Sequence, residues 1–155
     1  MSAVRSLLTF RRGPVNYAVD VGDVRRVVSG VELRPLPATP DFVAGGARID
    51  DRLEVMVDPE ALFSGAAAVP KASRIILVNA MGRSLGLLAD GVDEVATVEE
   101  GEISPPLPFV GGRRRVAVTG VLSRGSEEIL VLDLALLLTG SEVSELAAPT
   151  APPAD

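Results

Sequence analysis

Residues 74–95 read RIILVNAMGRSLGLLADGVDEV, two aliphatic runs separated by a short turn that contains glycine. Branched aliphatic residues favour strands, and a glycine-containing loop between two such runs is typical of a β-hairpin. The second run ends at Asp90-Gly91, a pair that marks a turn. We therefore expect a hairpin over residues 74–89 and a further extended segment that leaves through the proline-rich residues 105–108.

The composition places the chain in the all-β class. Its 155 residues suit one domain, and 47% of them are hydrophobic while only 3% are aromatic. The interior is therefore aliphatic and led by valine, whose β-branch fits pleated strands better than helices. Short valine-rich runs separated by glycine and proline predict a barrel or sandwich rather than a helical bundle.

Charge, cysteine content and hydropathy exclude several classes of function. The net charge of −6 argues against nucleic acid as a partner, because phosphate binding needs a basic surface. The chain has no cysteine, so it has no disulfide, thiolate nucleophile or cysteine metal site. No apolar stretch approaches the ~20 residues of a membrane helix, and the N-terminus is too weakly apolar for a signal peptide. We expect a cytoplasmic protein that does not insert into a membrane and needs no metal or cofactor.

Periodicity identifies one strand and leaves a second segment open. Residues 15–21 place an apolar side chain at every second position, so one face of a strand is buried and the other is wet. Val24, Val27 and Val28 are spaced i, i+3 and i+4. That spacing fits one helical turn, and a strand fits nearly as well.

The two halves of the chain echo each other. Each has a hairpin, a proline-containing connector and then a strand that ends in an aspartate able to cap a short helix; the two caps are Asp58 and Asp133. The repetition predicts a single domain over residues 5–140 made of two intertwined barrels, roughly 15–70 and 74–135. Residues 141–155 should form a helical turn followed by a disordered tail rich in proline and alanine.

Several motifs, taken in order, resemble the CheW family of bacterial chemotaxis adaptor domains. LGLLADGVDEV, at residues 85–95, is similar to a motif in the second half of the family domain. The family's first hairpin, its proline-rich connector, its V-x-V-D strand and its terminal strand pair are resembled by residues 10–21, 36–45, 55–58 and 120–133. Each match is weak alone, but their order and spacing identify the chain as CheW-like from residue 8 to residue 138.

The resemblance implies two linked SH3-like five-stranded β-barrels with short helices, and no catalytic activity. Family members couple the CheA histidine kinase to chemoreceptor tips, so it also implies a signalling adaptor. One barrel of the family docks the kinase regulatory domain, which predicts kinase contacts at Val24, Arg26, Val27, Val28 and Gly45. A groove near the junction of the barrels receives the receptor tip, which predicts receptor contacts at Arg48, Asp50, Arg52 and Val95.

One segment departs from the family pattern. At the position where the family has a receptor-facing arginine, this chain has Asp50, and at the next position, where the family has glycine, it has Asp51. In the segment at 24–27, Arg26 occupies the position where the family usually has an acidic residue. Replacing a cation by an anion at an interface can cost several kcal/mol against the original partner. If Arg26 and Asp50 face each other, the exchange preserves a salt bridge. If they do not, the chain has changed partners.

Other interpretations stay open at this level. Asp50, Asp51 and Glu54 could form an acid/base or cation site, although adjacent carboxylates on such a turn usually make a solvated loop. Residues 113–115, three arginines, could bind phosphate, although the acidic total and the scarcity of aromatic residues favour an ordinary loop. A homologue that has lost receptor binding, serving another pathway or capping an array, and a small-molecule-binding barrel are the alternative functions.

Overall fold

The computed structural model of the protein describes residues 3–37, 39–80, 82–108, 112–139 and 141–142. These ranges contain the α-helix α1 (Pro59–Ser64), two further helical residues, Ser141 and Glu142, and 3-10 turns at Val21–Asp23, Glu100–Glu102, Gly112–Ala117 and Leu134–Leu136. The strands are β1 (Val4–Arg12), β2 (Val15–Asp20), β3 (Val24–Val28), β4 (Val43–Ile49), β5 (Arg52–Val57), β6 (Arg74–Ala80), β7 (Arg83–Ala89), β8 (Gly91–Glu99), β9 (Ile103–Ser104), β10 (Val118–Arg124) and β11 (Glu127–Leu132).

The predicted hairpin is confirmed. β6 and β7 pair antiparallel, from Arg74 opposite Ala89 to Ala80 opposite Arg83. Gly82 in the connecting turn has a φ of 76°, a conformation that glycine adopts without steric cost. β8 starts immediately after Asp90 and leaves the hairpin to pair with β1. The chain therefore changes sheet at the Asp90-Gly91 turn.

The two sheets divide the chain differently from the predicted boundaries at residues 15–70 and 74–135. One sheet has five strands in the order β3-β6-β7-β5-β4 and contains both strands of the β6–β7 hairpin. The other has the order β8-β1-β2-β11-β10-β9, and so both ends of the chain share it. It contains six strands rather than the expected five because the two-residue β9 adds to its edge.

Two parallel pairings explain this division. β5 lies parallel to β7, and β11 lies parallel to β2. β5 and β11 are also the strands whose final aspartate caps the following helix: Asp58 accepts a bond from the Glu60 amide, and Asp133 accepts one from the Ala135 amide. The sequence repeat therefore marks equivalent strands of two barrels, not the boundary between them.

Three hydrophobic clusters follow from the strand alternation. Each barrel has its own interior: Met56, Ile75, Leu77 and Leu88 in the five-stranded barrel, and Leu7, Val98, Leu122 and Val131 in the six-stranded barrel. The largest cluster lies between the barrels and draws on both, with Phe10, Tyr17, Val57, Ile76, Leu87 and Leu132 among its members. Because the shared cluster is the largest, the two barrels stabilise each other.

Residues 24–28 form a strand and not a helical turn. β3 pairs antiparallel with β6, with a register shift between Val24 and Arg26. Val24 packs against the shared core and Val28 against the five-stranded barrel's interior, while Val27 stays 38% exposed. The shift breaks strict alternation, which is why the valine spacing also fitted a helix.

The predicted C-terminal features lie mostly outside the described residues. Ser141 and Glu142 have a helical backbone, whereas the rest of the predicted turn and the whole predicted disordered tail lie outside the described residues. Across the described ranges, the structure contains no helix of the length and hydropathy needed to span a membrane.

Candidate interaction surface

β3 is an edge strand, and most of the residues predicted to contact a kinase lie on it. In the described part of the chain, β3 pairs with β6 alone. Arg25, Arg26 and Val27 are exposed, while the valines on either side are half-buried. An exposed edge offers unpaired backbone groups to a partner, and the charged residues and the irregular register limit unspecific pairing.

Arg26 faces Asp50 directly. Arg26 Nη1 donates a hydrogen bond of 2.6 Å to Asp50 Oδ2, so the ion pair connects β3 with the turn between β4 and β5. The geometry settles the question left open by the sequence: Arg26 and Asp50 face each other and form a salt bridge. The side chains are 52% and 70% exposed, and a pair this exposed contributes at most about 1 kcal/mol to stability.

The β4–β5 turn carries the residues predicted to contact a receptor. Ile49 pairs with Arg52, so Asp50 and Asp51 form a two-residue loop, with φ values of 53° and 66°. Positive φ at both positions is what a type I′ hairpin turn requires. Arg48 flanks the turn, and its guanidinium lies 3.4 Å from the carbonyl oxygen of Asp51. The turn therefore displays charges of both signs in fixed positions.

Glu54 does not join the aspartates in an acid/base or cation site. Its carboxylate is buried, accepts a hydrogen bond of 2.8 Å from Ser84 Oγ and lies 3.6 Å from Arg25 Nη1. Arg25 also donates to the Ser84 hydroxyl. Over the ranges the structure describes, no cluster of three or more histidine, cysteine, aspartate or glutamate side chains could hold a metal ion. Glu54 therefore connects its own strand, β5, with β7 through Ser84 and with β3 through Arg25.

Gly45 is not on the surface predicted for it. It is buried, has a φ of 138°, and a Cβ atom there would collide with the carbonyl oxygen of Arg34. Arg34 and Gly46 exchange two backbone hydrogen bonds of 2.8 Å, which brings the connector against β4. Gly45 is needed for this close approach of two backbones, and so it offers nothing to a partner.

Val95 lies on the other barrel. It sits in β8, opposite Leu8 of β1, and is 54% exposed. The predicted receptor set is therefore divided, with Arg48, Asp50 and Arg52 on the five-stranded barrel and Val95 on the edge of the six-stranded barrel.

A buried arginine that sequence reasoning missed joins the two barrels. Arg12, at the end of β1, binds both carboxylate oxygens of Asp58, at 2.9 and 3.1 Å, and one oxygen of Asp90, at 3.1 Å. It also donates to the backbone carbonyls of Lys71 and Val69, at 2.7 and 2.8 Å. All five N–H groups of the guanidinium therefore have an acceptor.

The carboxylates around Arg12 are equally well satisfied. Asp58 also accepts from the amides of Glu60 and Val69, and Asp90 accepts from the amide of Gly13. A cavity of about 550 Å³ lies beside this cluster, lined by Arg12, Gly13, Asp58, Glu60, Val69, Lys71, Ala72, Ser73 and Asp90. The polar side chains of the cluster are engaged with one another, so they hold the junction together rather than await a ligand.

Of the three arginines at residues 113–115, Arg114 is engaged inside the protein and does not present its charge to a phosphate. Arg114 turns inward, where its guanidinium lies 5.0 Å from the centre of the Phe42 ring and makes two hydrogen bonds of 2.6 Å to Glu142. The bonds from Arg114 lower the pKa of Glu142 to about 2, so this carboxylate stays ionised through neutral and mildly acidic pH. Arg115 is exposed, and the side chain of Arg113 lies outside the description.

The sequence and the fold both match known proteins along nearly the whole chain. The CheW-like domain pattern matches residues 6–142. The chemotaxis protein CheW of Rhizobium meliloti is 28% identical over 131 residues, covering 84% of this chain and 84% of that protein. Treponema pallidum CheW is 23% identical over 146 residues, covering 91% of this chain and 86% of that protein. The scaffolding protein TtCheW of Thermoanaerobacter tengcongensis superposes with a TM-score of 0.75 at 28% identity, covering 92% of this chain and 96% of that chain.

Proposed function

Because this chain belongs to the CheW-like domain family, we propose that it couples a CheA-type histidine kinase to chemoreceptors in a chemotaxis-like pathway. As a family member the chain is a non-enzymatic chemotaxis adaptor. The observation that carries the proposal is the extent of the likeness: it covers both barrels and their junction, not one barrel alone. Such an adaptor would act in the cytoplasm, at receptor arrays.

The kinase regulatory domain would bind at the β3 edge. Val27 gives this edge an exposed apolar side chain, and Arg26 gives it a charge whose orientation is fixed by Asp50. Val24 and Val28 are partly withdrawn into the two cores, so they would support the strand more than contact the kinase. Scaffold contacts of this kind bury small areas, below or near ~1,200 Å², and gain strength by multivalency in arrays.

The receptor tip would bind at the β4–β5 turn and at Val95. Arg48, Asp50 and Arg52 are all exposed at that turn. Val95 provides an apolar contact on the six-stranded barrel. A partner that contacted both barrels would depend on how the barrels are placed relative to each other. The shared core and the Arg12 cluster fix that placement.

The kinase surface is tested by one substitution with a matched control. Val27→Asp places a charge on the exposed edge and should weaken binding of the cognate kinase regulatory domain about tenfold or more, equivalent to ~1.4 kcal/mol. Val116→Asp makes the same chemical change at a valine that is 65% exposed in the 3-10 turn before β10, and should leave binding unchanged. Isothermal titration calorimetry measures both. Equal affinities for the wild type and Val27→Asp would refute the β3 assignment, and no binding by the wild type would refute the kinase coupling.

A further inference from the structure

The Arg26–Asp50 pair gives the surface a fixed electrical polarity. The cation lies on β3 and the anion lies on the β4–β5 turn, with 2.6 Å between Arg26 Nη1 and Asp50 Oδ2. Each side chain holds the other in place, yet both are more than half exposed. A partner that lies across β3 and the turn would therefore meet a positive and a negative charge in a set order.

Turn preference explains part of this arrangement. Both Asp50 and Asp51 have positive φ, and aspartate tolerates that conformation better than most non-glycine residues. Asp-Gly is a preferred pair for such a turn, so aspartate suits position 50, whereas glycine would be less strained at position 51. An exposed ion pair contributes little to stability. The fixed and exposed charges of Arg26 and Asp50 are therefore available to a partner.

We propose that the polarity of the Arg26–Asp50 pair selects the partner of this chain. The partner surface that fits presents a basic side chain toward the turn and an acidic side chain toward β3. A partner with the reverse order would place like charges together, which weakens binding. The inference rests on the proposed function, because Asp50 lies in the surface proposed to contact a receptor. The Arg26 guanidinium reaches to within 2.6 Å of the Asp50 carboxylate, so Arg26 lies where the proposed kinase and receptor surfaces meet and a receptor bound at the turn would meet both charges.

The test uses single and double charge reversals. Arg26→Glu and Asp50→Arg each remove the pair, whereas the double variant R26E/D50R restores it with reversed polarity and leaves the net charge at −6. Binding to the cytoplasmic signalling fragment of a chemoreceptor from the same genome is measured by calorimetry at low and high salt. Circular dichroism melts verify that each variant folds. Arg115→Glu, at an exposed arginine on another element, repeats the charge change of Arg26→Glu as a control.

The polarity proposal expects the double variant to fold, with a slightly lower melting temperature because arginine tolerates the positive φ at position 50 less well than aspartate. It should bind the receptor fragment about tenfold or more weakly at low salt. High salt should reduce the difference in affinity between the wild type and the double variant, because salt screens exposed charges. If the double variant bound with wild-type affinity, only the polarity proposal would be overturned, because the ion pair would then serve only to connect β3 with the turn. An absence of wild-type binding would overturn the receptor coupling itself, and the polarity proposal with it. Weakening by Arg115→Glu equal to that of Arg26→Glu would show that total charge, not polarity, matters.

Discussion

Replacing Arg12 by methionine is expected to lower the free energy of unfolding by about 3–5 kcal/mol. Arg12 and Asp58 form a bidentate pair in which both side chains are almost fully buried. Methionine fills much of the same volume but leaves the Asp58 carboxylate without its cation, and Asp90 loses the same partner. The variant also leaves the backbone carbonyls of Val69 and Lys71 without their donor. Breaking a buried pair from one side is costly because an uncompensated charge remains.

Equilibrium unfolding in urea measures this loss, and the neighbouring arginine provides the control. Arg11 precedes Arg12 in β1 and points to solvent. Arg11→Met should therefore change the free energy of unfolding by no more than about 0.5 kcal/mol. If Arg11→Met and Arg12→Met destabilised the protein equally, or if Arg12→Met cost less than about 1 kcal/mol, the junction would not depend on this cluster.

Replacing Tyr17 by alanine is expected to lower the free energy of unfolding by about 3–5 kcal/mol. Tyr17 lies between two other aromatic rings in the shared core, 5.4 Å from Phe10 and 5.6 Å from Phe63 between ring centres. Burial raises the pKa of its hydroxyl, as expected for a side chain that is 1% exposed. Its removal leaves a cavity where the two barrels meet, so both should lose stability together.

Two probes distinguish this effect from a local one. Tyr17→Phe keeps the ring and removes only the hydroxyl, so it should cost much less than Tyr17→Ala in the same urea titration. Labels on the two barrels should report one common transition for Tyr17→Ala, because the core is shared. Separate transitions for the two barrels, or equal losses for alanine and phenylalanine, would contradict this account of the core.

Local features of the fold could be predicted from the sequence because their causes are local. The hairpin at 74–89 follows from two aliphatic runs around a glycine turn. Asp58 caps α1 through contacts within two residues, and Gly65, with a φ of 79°, ends that helix. The capped strands were also correctly recognised as a repeat. Each of these signals acts over a few residues, which is the range that a sequence pattern describes.

The division of strands between barrels could not be read in the same way. It depends on β5 lying parallel to β7 and β11 parallel to β2, and parallel partners are joined by long connections with no turn signature. The Arg12 cluster was missed for a similar reason: Arg12 lies 46 residues from Asp58 and 78 from Asp90. The only sequence hint was that both aspartates fall in the motifs that carry the family resemblance.

The candidate interaction surface contains one feature that the sequence pointed to and one that it misplaced. The sequence left open whether Arg26 and Asp50 face each other, and the structure shows that they do. Gly45 was assigned to the same surface, yet the backbone of Arg34 covers it. A glycine on a binding surface and a glycine needed for a close backbone approach look the same in a single sequence, because glycine has no side chain to distinguish them.

Co-sedimentation with receptor-containing membranes tests the adaptor role most directly. The cognate kinase and this chain are mixed with membranes that carry the cognate chemoreceptor, and the pelleted kinase is quantified with and without the chain. An adaptor that couples the two partners should bring kinase into the pellet only when the chain is present, and Val27→Asp should reduce that amount. Kinase that pellets equally without the chain, or a chain that stays in the supernatant, would contradict the coupling role.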